Sequence, residues 1–129
     1  MVIDSSALIA IISKQPERAL FEQSIKLATN RLIGSATLVE TSLVVLSRRQ
    51  EEGIAILNEL LVDMRVETVP FSADHARLAI DAFRRFGKGR HPAGLNFGDC
   101  FSYALAKATG EPLLFKGNDF SRTDIEPSI

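Results

Sequence analysis

The chain has 129 residues, 46% of them apolar, with 15 Lys and Arg against 16 Asp and Glu and a formal net charge of -1. That suits one globular domain around one core and excludes a surface that grips polyanions over its whole extent; a nucleic acid would need a local basic patch or bound cations. The single cysteine, Cys100, excludes an intrachain disulfide, and a charged fraction of 24% without a long charge run excludes a disordered chain.

Met1-Val2-Ile3 is a short β-branched run that predicts a buried strand at the N-terminus. No basic segment precedes an apolar stretch there, so a cytoplasmic location is expected. The longest apolar run, Ala7 to Ile12, is too short to span a bilayer, and no membrane association is expected. Asp4-Ser5-Ser6 offers caps for a first helix through Ile12, apolar nearly all round and therefore buried. Pro16 is placed at the first position of a second helix, with Leu20, Phe21, Ile25 and Ala28 on one face.

Arg31-Leu32-Ile33-Gly34 reads as a second strand. A third helix opens at Ser35 or Ala36, sets Val39, Leu43 and Leu46 on one side, and ends near Arg48-Arg49, where cations suit the negative helix end. Glu51 to Met64 predicts a fourth helix carrying Ile54, Leu57, Leu60 and Leu61, weakened in its first turn by Gly53. Arg65 to Pro70 alternates polar and apolar side chains and reads as a third strand near an edge, because Pro70 follows.

Ser72 caps a fifth helix with Ala76, Leu78, Ala79, Ala82, Phe83 and Phe86 on a broad apolar face. Gly87 to Gly94 is a loop with basic residues. In the sixth helix Phe101, Ala104, Leu105 and Ala108 recur at helical spacing, and Asn96 is its cap, which puts Asp99 in the first turn. Cys100, beside it, reads as a small buried hydrophobe. Pro112 to Phe115 is a fourth strand, Gly117-Asn118-Asp119 a turn, and Ile125-Glu126-Pro127 a last strand fragment. Strands alternate with helices and none are close enough for a hairpin. The expectation is a single α/β domain over residues 1–129, a short parallel sheet of four to five strands flanked by helices.

In such a sheet, ligands sit beyond the carboxyl ends of the strands. Asp4 follows the first strand, Glu40 stands about a turn after the second, Asp99 opens the sixth helix and Asp119 follows the fourth strand. Each has an ordinary reading of its own. Asp4 can be an N-cap, and Glu40 half of a capping box with Thr37. Asp99 can stabilise a positive helix end, and Asp119 can be a turn residue. Together they are harder to account for. Two like charges at ~5 Å repel by roughly 3 kcal/mol at an effective dielectric of ~20, so gathered carboxylates protonate or bind cations. Oxygen ligands alone favour Mg2+ or Mn2+ over zinc.

Asp4-Ser5-Ser6, Thr37-Leu38-Val39-Glu40, Leu95-Asn96-Phe97-Gly98-Asp99-Cys100 and Gly117-Asn118-Asp119-Phe120 resemble, in order, the motifs of PIN-domain nucleases, and most of all the VapC-like toxins of bacterial type II toxin–antitoxin pairs. The resemblance covers essentially the whole chain, with Gly89 to Asp99 its most specific part. Asn118 departs from it, standing where many relatives carry another polar or acidic residue. The resemblance implies a metal-dependent endoribonuclease that hydrolyses RNA with a metal-activated water. Asp4, Glu40, Asp99 and Asp119 would be its catalytic, metal-binding acids, loaded with Mg2+ or Mn2+.

Ser6 would orient a carboxylate, and Asn96 would either do likewise or only cap its helix. Arg84, Arg85, Lys88, Arg90 and His91 would contact the RNA backbone, or else form a solvated helix end. The resemblance further implies homodimerisation and a cognate antitoxin that lays a segment across the acidic site. Leu8, Ile12 and Phe21 of the first two helices either form a groove for it or are core. Three rivals share parts of the pattern. They are a PIN-like binding module lacking an acid, a metal-dependent DNA or flap nuclease, and a response-regulator-like domain in which Lys116 would sit beside the acids.

Overall fold

A computed structural model covers residues 1–129. The element order is β1 (Val2–Ile3), α1 (Ser5–Ile12), α2 (Arg18–Leu27), β2 (Leu32–Gly34), α3 (Ser35–Asp63), β3 (Glu67–Val69), α4 (Ala73–Phe86), α5 (Phe97–Thr109) and β4 (Leu113–Leu114). All strand pairs are parallel and the order across the sheet is β3-β2-β1-β4. β3 is an edge strand, as Pro70 requires. Pro127 makes an isolated parallel bridge to Leu113, which is what becomes of the expected fifth strand.

The strands are so short that each alternation of side chains decides a layer. Ile3, Ile33 and Leu114 point into one core with Leu8, Phe21, Val45 and Leu57, from α1, α2 and α3. Val2 and Leu113 point into a second core with Tyr103, Ala104 and Leu105 of α5 and Ala79 and Ala82 of α4. The sheet is thus covered on both faces.

Four local expectations are corrected. Pro16 lies in a turn closed by the Arg18 N–H donating to the Gln15 carbonyl at 3.0 Å, and α2 begins at Arg18. The third and fourth predicted helices run together as α3, broken at Gln50 by a non-helical backbone (φ 58°). Gly53 is needed beside that break, since a Cβ there would stand 2.6 Å from side-chain atoms of Val45 and Arg49. The buried face of the first part of α3 is Thr37, Thr41 and Val45, while Val39 and Leu43 are 57% and 59% exposed. Last, Ala108 is exposed, because α5 turns Ser102 to Ala106 inward and leaves its final turn in solvent.

The strand order sets where a site can form. β1 is followed on one side by β2 and β3, and the chain then crosses to place β4 on the other side. The crevice at such a switch lies beyond the carboxyl ends of β1 and β4.

Candidate active site

Asp4 leaves the end of β1 and is 3% exposed. Its backbone N–H donates to the Leu114 carbonyl at 2.9 Å, so the sheet itself fixes its position. Asp4 caps α1 and also belongs to a polar cluster. Its Oδ2 accepts from the Ser6 N–H at 3.0 Å and from the Ser6 hydroxyl at 2.6 Å, and its Oδ1 accepts from the Ser102 hydroxyl at 2.5 Å. Ser6 thus donates twice to this carboxylate, and its Oγ accepts the Lys116 N–H at 2.9 Å from the bend after β4.

Asp99 sits at the third position of α5 within a capping box. Asn96 Oδ1 accepts the Asp99 N–H at 2.9 Å, and Asp99 Oδ2 accepts the Asn96 N–H at 3.0 Å. Asn96 therefore caps the helix and holds Asp99 at the same time. Burial, with the neighbouring charges of Asp4, Asp119 and Glu40, pushes the Asp99 carboxyl up to about 7, against the opposing pull of the Asn96 N–H. Asp99 thus lies within electrostatic reach of the other three.

Glu40 arrives from α3, half-buried. It is not part of a capping box, because the N-cap of α3 is Gly34 and Thr37 is inside the helix. Its carboxylate lies against the backbone of Gly98, where any Cβ would fall inside it. Gly98 is what lets α3 and α5 bring two acids to one mouth. Asp119 is exposed in the turn beyond β4. No three of these carboxylates close into a finished ligand cage, which is how like charges without a counter-ion settle.

No cation of the chain answers them: Asp4, Glu40, Asp99 and Asp119 take part in none of the salt bridges. Lys116 turns away to Glu17 at 3.3 Å and to Gln15, which removes the response-regulator-like arrangement. Oxygen donors alone, with two of the four acids buried and unpaired, fit a hard divalent cation such as Mg2+ or Mn2+.

The family model for the PIN domain matches residues 1–126. The chain belongs to the PIN-domain family. Its place within the family is among the VapC ribonucleases. Ribonuclease VapC30 of Mycobacterium tuberculosis is 50% identical over 125 residues, covering 97% of this chain and 95% of that protein. Two solved structures share the fold. VapC20 of Mycobacterium tuberculosis, a sarcin–ricin loop cleaving toxin, has a TM-score of 0.76 at 15% identity over 96% of this chain and 95% of its own. VapBC2 from Rickettsia felis, bound to a DNA fragment from their promoter, has a TM-score of 0.73 at 17% identity over 98% and 94%.

Around these acids the basic loop divides. Arg84, Lys88 and Arg90 are exposed, with Arg84 3.5 Å from Asp81 one turn back on its own helix. Arg85 is engaged, with one guanidinium nitrogen 3.2 Å from the Tyr103 hydroxyl and another 3.4 Å from Asp124. His91 is a turn residue: its Nδ1 accepts the Ala93 N–H at 3.0 Å and its ring stands edge-on to Phe86. Leu8, Ile12 and Phe21 are 0%, 6% and 3% exposed, so they are core and offer no groove. The exposed apolar surface lies elsewhere. Phe97, 81% exposed, forms a ridge with Phe101 between two grooves of about 540 and 500 Å3. Phe71, Ile80 and Phe83 line the first, and Val39, Leu43 and Glu40 the second.

Two contributors escaped the sequence reading. They are Ser102, which donates to Asp4, and Gly98, which makes room for the Glu40 carboxylate. The available signals were a hydroxyl one turn after Asp99 on a buried face and a glycine inside a helix start, where glycine is otherwise unfavourable. No helix is long and apolar enough to cross a membrane.

Proposed function

We propose that this chain is a divalent-metal-dependent endoribonuclease, a VapC-like toxin acting as one nuclease domain. The observation that carries the metal dependence is the gathering of Asp4, Glu40, Asp99 and Asp119 at one sheet edge with no cation of the chain beside them. Bound Mg2+ or Mn2+ supplies an acidified water and positive charge for the leaving oxygen. The chain's part is to hold the acids. Asp4 keeps one lone pair of Oδ1 free of hydrogen bonds, and Asp99 keeps its Oδ1 free. Glu40 joins from α3 across Gly98, and Asp119 joins from the exposed turn. Arg84, Lys88 and Arg90 form a rim for the RNA backbone.

Cleavage of a structured RNA pool with Mn2+ tests this reading. Wild type is expected to yield 5′-phosphate and 3′-hydroxyl ends, and Asp4→Ala and Glu40→Ala to yield none. Cyclic 2′,3′-phosphate ends, or cutting that survives in EDTA, would sink it. Absence of cutting by the well-folded chain favours the binding-module reading.

Two protein partners fit the same reading. A cognate antitoxin with a basic side chain answers the uncompensated acids, in keeping with the VapBC2 assembly to which the fold is similar. A second copy of the chain fits the Phe97–Phe101 ridge, because a ridge beside a groove on one face is complementary to its own two-fold mate. Light scattering is expected to report a dimer for wild type and a monomer for Phe97→Glu.

A further inference from the structure

We infer that Ser102 is a positioning residue for Asp4, selecting through its hydroxyl the one lone pair of that carboxylate that faces the mouth. This rests on the metal-dependent reading above. An Asp carboxylate turns about a soft sp3–sp2 torsion, so its plane is set by its hydrogen bonds and not by a rotamer well. Each carboxylate oxygen offers about two lone pairs. Asp4 Oδ2 spends both on the N–H and hydroxyl of Ser6. Oδ1 spends one on Ser102 at 2.5 Å and keeps one.

Ser102 is itself held. Its proton is committed to Asp4, so its oxygen can only accept from the Thr37 hydroxyl, 3.4 Å away. Ser102 and Thr37 are both 1% exposed. Thr37 lies on α3 one turn before Glu40, and Ser102 lies on α5 one turn after Asp99. The line Thr37 to Ser102 to Asp4 thus ties together the three elements that carry the inner acids. Helix formation gives no reason for a hydroxyl here. Ser102 is followed by the buried run Tyr103-Ala104-Leu105-Ala106, and alanine is the better helix former.

The test is calorimetric titration of Mn2+ into the RNA-free, EDTA-stripped chain. Wild type, Ser102→Ala, Ser102→Thr, Thr37→Val, the Thr37→Val/Ser102→Ala double variant and Asp4→Asn are compared, with urea unfolding of each. Ser102→Ala is expected to fold cooperatively and to weaken Mn2+ by about tenfold, the lower end of what loss of an outer hydrogen-bonding partner costs. Ser102→Thr is expected to restore most of that affinity by keeping the hydroxyl. Thr37→Val changes shape little, so it reads the same line even if the threonine variant is too crowded to fold. A Kd raised about twofold by Thr37→Val alone, and unmoved when Thr37→Val is added to Ser102→Ala, supports the relay. Wild-type Mn2+ affinity in Ser102→Ala, with affinity lost in Asp4→Asn, overturns the inference and leaves the metal reading standing. Failure of the wild type itself to bind Mn2+ overturns both.

Discussion

Helix α5 carries an acid problem at each end and solves only one. Near its C-terminal half, Asp124 meets the Tyr103 hydroxyl at 2.8 Å, Lys107 at 2.7 Å and Arg85 at 3.4 Å. Burial opposes ionisation there, but the hydrogen bonds from Lys107 and Tyr103 and the charges of Lys107 and Arg85 hold Asp124 below the ordinary carboxylate range. At the N-terminal end, burial and three neighbouring acids raise Asp99, and no cation comes. One cluster is finished by the chain itself. The other is left open to a charge from outside, and that difference separates a structural clamp from a candidate active site.

The largest effect that would sharpen this contrast is expected from Asp99→Asn, which keeps the capping box and removes the charge. Cleavage is expected to fall by about 10^3-fold or more, since a metal-held site loses several kcal/mol of charge stabilisation. Stability without metal moves the other way. The unfolded chain releases this proton near 3.8 and the folded chain near 7. Folding therefore favours the protonated acid, and the penalty for ionising it grows as pH rises between those values. By pH 8 it reaches roughly 4 kcal/mol at most. Urea midpoints of metal-free wild type are expected to decline across that window, and those of Asp99→Asn to decline less. Equal slopes would break the comparison.

Gly98→Ala comes next. The far end of Glu40 can swing away from a new methyl, so unfolding free energy is expected to change by no more than about 1 kcal/mol. Cleavage and Mn2+ affinity are expected to drop by about 10-fold. A loss of stability with full metal affinity would mean that the close approach is only packing. Asp124→Ala probes the other end of the helix. It leaves the buried Tyr103 hydroxyl short of a partner and is expected to cost about 1–3 kcal/mol, with cleavage at saturating Mn2+ within about twofold of wild type. The smallest effect is on the rim. Lys88→Ala with Arg90→Ala is expected to lower the salt slope of RNA binding by about 1.4, two contacts at ~0.7 each for single strands. An unchanged slope in filter binding would place the phosphate contacts elsewhere.

Much of the fold was legible because its signals are local. Asn96 with Asp99, Ser72 before an amphipathic run, and Pro70 after β3 each act within a few residues. What misled was Val39 and Leu43. Their spacing predicts an interior face, yet the interior takes Thr37, Thr41 and Val45, and the aliphatic side is left beside Phe97 and Phe101. Apolar periodicity tells that a face will be covered, and does not say whether the cover comes from the same chain. The basic loop was read as one patch for a similar reason. Only the folded chain shows that Asp124 has already claimed Arg85.

The sequence by itself determined the alternation of strands and helices and the two-sided cover of the sheet, and it singled out four candidate acids, because side-chain periodicity, caps and turn residues are written in neighbouring positions. Tertiary structure decided what those acids meet. Asp4 and Ser102 are 98 residues apart and share a 2.5 Å hydrogen bond, and the Glu40 carboxylate depends on a missing side chain at Gly98. Contacts of that kind arise from how α3, α5 and β1 pack around one sheet edge, and no local pattern encodes a distance between elements that touch only after the chain has closed.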